Sequence, residues 1–332
     1  MSRLAVIGAG SWGTTLAISL APRFSSVGLW ARTEESAAQI AAARENKRYL
    51  PGASLPSYVD VSNNLSSVLH DAQTVLTVVP SKYLRSVALE LRNFLEPDTL
   101  LISATKGIEE GTLSRMSVVL TDALQNRLTL PVAVLSGPTF AKEVAMGEPA
   151  AVVVACEDHA VAQQAQQRLS TSAFRLYTST DVIGVEVGAA LKNVIAIGAG
   201  ICSGMGLGGN SVAALVTRGL AEITRLAIAM GGQSRTMAGL AGLGDLVLTA
   251  TGDLSRNRYV GKELGLGKSL NHILQSMTMV AEGVPTCRAA HALGASFGVD
   301  LPIVNQVNEI LYHHKDVGEA IRELMERPLT HE

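Results

Sequence analysis

The chain has 332 residues, 47% of them hydrophobic, which is enough to bury a large core and suits two domains. Its 27 Lys and Arg against 29 Asp and Glu leave a formal net charge of −2 without a long charge run, which argues against nucleic acid as a partner. An anionic ligand must therefore be held by a local cluster of cations.

Cys156, Cys202 and Cys287 are widely spaced with no CxxC pair, so neither a disulfide framework nor a metal site is expected, and a reducing cytoplasm fits. His313 and His314 are sequence neighbours, which do not face one another on a helix and read as surface residues. The N-terminal apolar run is broken by glycine too early to form a signal-peptide core.

The chain opens with Leu4-Ala5-Val6-Ile7, an apolar run of strand type, followed by Gly8-Ala9-Gly10-Ser11-Trp12-Gly13 and a helical stretch from Thr14. A second apolar run, Val27-Gly28-Leu29-Trp30, completes a strand, glycine turn, helix, strand unit of the dinucleotide-binding kind. Gly8 permits the tight turn, Gly10 lets backbone approach a pyrophosphate, and Gly13 lets the helix pack close to the sheet. The helix N-terminus supplies unpaired N–H groups and a favourable dipole for the anion. Where an acid usually meets the ribose hydroxyls, this chain has Ala31-Arg32-Thr33. A guanidinium there suits a 2′-phosphate, so NADP(H) is preferred and NAD(H) stays possible. The alternative is a solvated Arg32 beside Glu34 and Glu35.

Residues 34–44 read as an alanine-rich helix, and Tyr49-Leu50-Pro51-Gly52 as a loop. The apolar runs at 74–79, 99–103, 132–135 and 150–155 read as strands of a sheet covered on both faces, and residues 174–177 as a last strand. Lys106, Gly137 and Thr139 lie just past such strands, where doubly wound sheets bind ligands. The strand signal stops near residue 180, and the remainder is helical, including residues 210–230. The expected division is 1–180 and 181–332. The membrane-like stretch 182–201 is interrupted by Glu186, Lys192 and Asn193 and reads as a buried helix, so no membrane insertion is expected.

Lys192 lies in a segment apolar nearly all round, where an ammonium needs a partner or a role. Its pKa either drops toward neutrality, making it an acid or base, or its head snorkels to water. Asp245, alone in an apolar stretch after Gly244, is either a helix N-cap or the partner of a buried lysine. Ser255-Arg256-Asn257-Arg258 offers hydroxyl, guanidinium and amide donors suited to a phosphate, or is a solvated basic turn.

Together these residues resemble the bacterial-type NAD(P)-dependent glycerol-3-phosphate dehydrogenases over essentially the whole chain. The resemblance is carried by Gly8 to Gly13, Ala104-Thr105-Lys106-Gly107, Ser136-Gly137-Pro138-Thr139-Phe140-Ala141-Lys142-Glu143, Leu191-Lys192-Asn193-Val194-Ile195-Ala196, Ala241-Gly242-Leu243-Gly244-Asp245-Leu246 and Ser255 to Arg258. It implies a Rossmann-like α/β doubly wound N-terminal domain and an all-α C-terminal domain like that of 6-phosphogluconate dehydrogenase. It implies Lys192 as general acid/base, with Lys106, Asn193, Asp245 and Thr249 completing the catalytic group. Gly137, Thr139, Ser255, Arg256 and Asn257, with Lys106, Lys192 and Asp245, would hold the substrate. Gly8, Gly10, Ser11, Trp12, Gly13, Arg32, Tyr49, Lys106, Ala141, Arg256, Val280 and Glu282 would contact the cofactor. The implied reaction reduces dihydroxyacetone phosphate to sn-glycerol 3-phosphate for phospholipid synthesis, in a cytoplasmic homodimer. The rivals are a ketopantoate or hydroxyacid reductase of the same architecture and a non-catalytic NADP(H) sensor.

Overall fold

The computed structural model describes residues 2–125 and 127–329. Residue 1 and residues 330–332, the outer ends of the two expected domains, lie outside the described residues. The chain divides into two compact units, Met1–Lys106 with Ser114–Glu186, and Gly107–Leu113 with Val187–Glu332. The division therefore falls later than residue 180, and a short earlier segment belongs to the second unit. Glu186 explains the later position, because it accepts hydrogen bonds from Ser117 N (2.7 Å), Ser117 Oγ (2.7 Å) and Arg115 Nη1 (2.6 Å), all in the first unit.

Among the described residues, the first unit holds one sheet of β1 (Arg3–Ile7), β2 (Ser26–Trp30), β3 (Val59–Ser62), β4 (Ala72–Thr77), β5 (Leu100–Ser103), β6 (Ala133–Ser136), β7 (Ala150–Ala155) and β8 (Phe174–Ser179). Their order across the sheet is β3-β2-β1-β4-β5-β6-β7-β8. Residues of β1 alternate between the two faces: Leu4 and Val6 join one apolar core, Ala5 and Ile7 the other. Both faces of the central strands are covered, which is why β1, β4, β5 and β6 read as apolar runs, whereas the edge strands β3 and β8 carry exposed residues.

Two features depart from the expected parallel sheet. β3 was not expected, because its four residues, Val-Asp-Val-Ser, are too short to register as an alternating pattern. β6 and β7 pair antiparallel. Between them lies only the short helix Ala141–Ala145, tied to the first helix, Ser11–Leu20, by hydrogen bonds from Thr15 Oγ1 to Ala141 O (2.9 Å) and from Ser19 Oγ to Val144 O (3.3 Å). This link never crosses to the opposite end of the sheet, so the chain re-enters from the side it left.

The second unit is helical. Its buried axis is the helix Val182–Gly204, the one described helix long and apolar enough to cross a membrane, and nearly all of that apolar stretch is buried within the protein. Gly200 and Gly204 face Gly261 and Gly265 of the helix Arg256–Gly265. A Cβ on Gly200 would run into the carbonyl of Arg258, one on Gly204 into that of Lys262, and one on Gly261 into that of Ile197. Glycines four apart on both helices thus bring the two backbones into direct contact.

Candidate active site

In the first unit, β1 runs into Gly8 with φ +124°, a conformation open to glycine at little cost. A Cβ on Gly8 would lie 2.7 Å from Val78 O, and one on Gly13 would collide with the carbonyl of Gly8. Gly10 differs, since a Cβ there would meet no protein atom within 4 Å. Packing does not require glycine at this position, and the missing side chain leaves its backbone open to a ligand. The helix Ser11–Leu20 has no acid in its first turn and no side-chain cap, so its N-terminal N–H groups are directed at the turn. These features fit the pyrophosphate of a dinucleotide.

Trp12 packs against Phe174, with ring centroids 6.3 Å apart. Buried Asn46 donates to Ala9 O (2.9 Å) and Thr14 Oγ1 (2.8 Å) and accepts from Tyr49 N (3.3 Å). It thereby ties the glycine turn and the first helix to the loop carrying Tyr49. Arg32 follows β2 and lies over the ring of Tyr83, 4.7 Å from Cζ to the centroid.

Lys106, Gly137 and Thr139 come together past the ends of β5 and β6. Gly137 O accepts from Lys106 Nζ (3.4 Å) and Thr139 Oγ1 (3.2 Å). Gly137 has φ +151°, and a Cβ there would lie 2.8 Å from Val152 Cα. Ala141 is the neighbouring helix start already tied to Thr15.

In the second unit, Lys192, 5% exposed, pairs with Asp245, 0% exposed, and donates to Thr249 Oγ1 at 2.9 Å. Thr249 in turn donates to the backbone carbonyl of Asp245 at 2.6 Å, so a lone pair of its hydroxyl faces the ammonium. Lys192 is therefore a buried, paired lysine rather than one snorkelling to water. Asp245 is likewise not an N-cap. The wide turn Leu240–Gly244, closed by Gly244 N to Gly239 O (3.1 Å), advances it into the first turn of the helix Asp245–Thr251. Such π-type turns are frequent at functional sites. Gly188 makes the approach feasible, because a Cβ there would lie 2.8 Å from Ala241 O.

Asn193, the next residue, accepts from Asn257 Nδ2 (2.9 Å), and Asn257 Oδ1 accepts from Gly283 N (2.9 Å). This chain of bonds fixes the start of the helix Arg256–Gly265 relative to Lys192. Ser255 caps that helix, its Oγ accepting from Arg258 N (3.2 Å). Burial pushes the Arg256 guanidinium down from its ordinary pKa, and the charge of Glu282 works the other way. A desolvated guanidinium at a helix N-terminus suits a phosphate. Arg258 turns away to Asp253 (2.7 Å), and Val280 is exposed two residues before Glu282.

Sequence reasoning missed Asn46 and buried Glu222. The groups to which Asn46 donates, Ala9 O and Thr14 Oγ1, lie far back along the chain, so no local pattern marks its burial. Glu222 left one trace: an acid beside the apolar stripe of Leu220, Ile223 and Leu226.

Residues 3–162 match the family description of the NAD-dependent glycerol-3-phosphate dehydrogenase N-terminus, and residues 181–322 match that of its C-terminus. The chain is 53% identical to a glycerol-3-phosphate dehydrogenase (NAD(P)+) from Koribacter versatilis, covering 100% of this chain and 99% of that protein. A protein of the same name from Citrifermentans bemidjiense is 48% identical, covering 99% and 98%. The crystal structure of glycerol-3-phosphate dehydrogenase from Coxiella burnetii superposes with a TM-score of 0.94 at 37% identity, covering 98% and 99% of the two chains.

Proposed function

The chain belongs to the NAD-dependent glycerol-3-phosphate dehydrogenase family, and from that premise we propose that it interconverts dihydroxyacetone phosphate and sn-glycerol 3-phosphate with NADP(H) or NAD(H). The observation that carries the proposal is the buried lysine, carboxylate and hydroxyl set of Lys192, Asp245 and Thr249. When bound, the nicotinamide supplies or takes up the hydride at C2.

In the reduction, Lys192 gives a proton to the oxygen on C2, and in the oxidation it takes that proton back. Asp245 and Thr249 hold the ammonium in place. Lys106 and Asn193 stabilise negative charge on the same oxygen; one amide hydrogen of Asn193 goes to Ala189 O (3.3 Å), leaving the other to donate. Arg256, with Ser255 and Asn257 at the head of its helix, grips the substrate phosphate, and Gly137 and Thr139 contribute to holding the substrate. This remote grip supplies binding energy that orients the carbonyl. The glycine turn with Ser11 and Trp12, together with Arg32, Tyr49, Ala141, Val280 and Glu282, contacts the cofactor. Arg32 favours NADP(H). In this reading the first unit binds the cofactor and the second carries the catalytic lysine, in a cytoplasmic homodimer that does not insert into membranes.

The test is loss of NADPH absorbance on adding dihydroxyacetone phosphate to the pure protein, repeated with NADH and with ketopantoate. The expected outcome is rapid loss with the phosphorylated ketone alone. Lys192→Ala should lower turnover by about 10²–10⁴-fold while NADPH still binds. Turnover near that of the unaltered protein would remove Lys192 from the mechanism.

A further inference from the structure

Arg32 is not the only cation at the end of the sheet that carries the glycine turn. Lys82 lies in the short turn Ser81–Tyr83 after β4, and its Nζ sits 4.7 Å from the centroid of the Tyr83 ring, the same ring that Arg32 covers from 4.7 Å. β2 and β4 are the two strands hydrogen-bonded to β1. Arg32 and Lys82 therefore approach from either side of the strand that ends in Gly8, and Tyr83 gathers them onto one platform.

Two like charges at such a place repel one another unless something negative joins them. Among the described residues neither cation has a carboxylate partner. Glu35, the acid three residues beyond Arg32, is engaged along its own helix, accepting from Gln39 Nε2 at 3.1 Å. The aromatic face offers each cation a modest attraction. The phenol of Tyr83 is held below its ordinary pKa by neighbouring Lys82 and then by Arg32, as expected where positive charge is concentrated. Both cations are exposed and so accessible to a ligand.

We propose that Lys82 is a specificity residue for the cofactor, closing with Arg32 on the 2′-phosphate of NADP(H); this rests on the reading that the first unit binds a nicotinamide dinucleotide. The phosphate is a dianion with three acceptor oxygens, and two separate cations can each take one. The ribose hydroxyl of NAD(H) offers these cations a dipole only, so Lys82 contributes little to NADH binding.

The experiment measures dissociation constants of NADPH and NADH by calorimetry, without substrate, for the unaltered protein, Lys82→Ala, Lys82→Met and Arg32→Ala. Both Lys82 variants should bind NADPH about tenfold more weakly, the loss of one charge-assisted contact, and NADH within about twofold of the unaltered protein. Adenosine 2′,5′-bisphosphate should lose affinity with Lys82, and adenosine 5′-monophosphate should not. Raising salt should weaken NADPH binding more steeply in the unaltered protein than in Lys82→Ala. NADPH binding that Lys82 substitution leaves unchanged, or an equal loss for both dinucleotides, would overturn the proposal alone. Failure of the unaltered protein to bind either dinucleotide would overturn the cofactor reading and this proposal with it.

Discussion

Lys192 and Asp245 show how an expensive pair is retained. Each is almost wholly out of water, and neither charge is tolerable there without the other. Two effects of substitution can therefore be separated. Lys192→Met removes the proton carrier and also strands a buried carboxylate, so it should abolish turnover and destabilise the fold by about 3–5 kcal/mol. The double substitution Lys192→Met, Asp245→Leu removes the stranded charge as well. Its thermal midpoint should recover to near that of the unaltered protein, while turnover stays absent. Recovery of activity in the double variant, or no recovery of stability, would contradict the assignment of Asp245 as the partner of Lys192.

At the scale of elements, the glycine contact between Val182–Gly204 and Arg256–Gly265 decides how far the phosphate grip stands from the lysine. Gly261→Ala would gain up to about 1 kcal/mol in helix propensity but must push apart two backbones already in contact, typically at about 1–3 kcal/mol. Packing wins. The helix carrying Arg256 and Asn257 should shift away from Asn193, raising the KM for dihydroxyacetone phosphate severalfold while the NADPH dissociation constant stays unchanged. Steady-state kinetics and calorimetry on the same variant test this.

Glu222 supplies a second element-scale prediction. Its carboxylate accepts from Ile303 N (2.7 Å) and Val304 N (3.2 Å) at the start of the helix Pro302–Tyr312. Burial raises its pKa to about 7, opposed by the two backbone hydrogen bonds and by Arg225, with Asp300 adding to the rise. The folded form therefore holds this proton more tightly than the unfolded chain. The stability it contributes is complete below about pH 4.5 and is lost as pH rises through about 7, by roughly 3 kcal/mol in all. Thermal midpoints of the unaltered protein should fall relative to those of Glu222→Gln across that window. Parallel curves for the two proteins would show that Glu222 does not titrate there.

The features legible from sequence were those whose cause is local. The glycine turn announces itself because strand, turn and helix are contiguous, and Lys192 because charge inside an apolar helix is conspicuous. Asp245 shows the limit: the sequence leaves open a cap or a partner for a buried lysine, and the wide turn Leu240–Gly244, which carries it one step into the helix and onto Lys192, has no local signature. The antiparallel step from β6 to β7 depends on the docking of Ala141–Ala145 against a helix far back in the chain. Asn46 and Glu222 are buried by partners equally remote, which no window of neighbouring residues contains.

For the whole molecule, ligand and fold are linked. NADPH at one hundred times its dissociation constant should stabilise the folded form by about 2.7 kcal/mol and raise the thermal midpoint by several degrees. Gly13→Ala should lose that rise, because its new methyl group collides with the carbonyl of Gly8 and displaces the turn. A rise preserved in Gly13→Ala would separate cofactor binding from the glycine turn.

The segment Gly107–Leu113 belongs to the second unit although residues of the first precede and follow it. On the ribosome it emerges well before Val187, the first residue of the long stretch that completes its unit. Until residue 187 and those after it are made, this segment lacks the part of the chain with which it forms a unit in the folded protein. Synthesis from the N-terminus thus sets an order of events, in which closure of the second unit reaches back to capture a piece of chain already made.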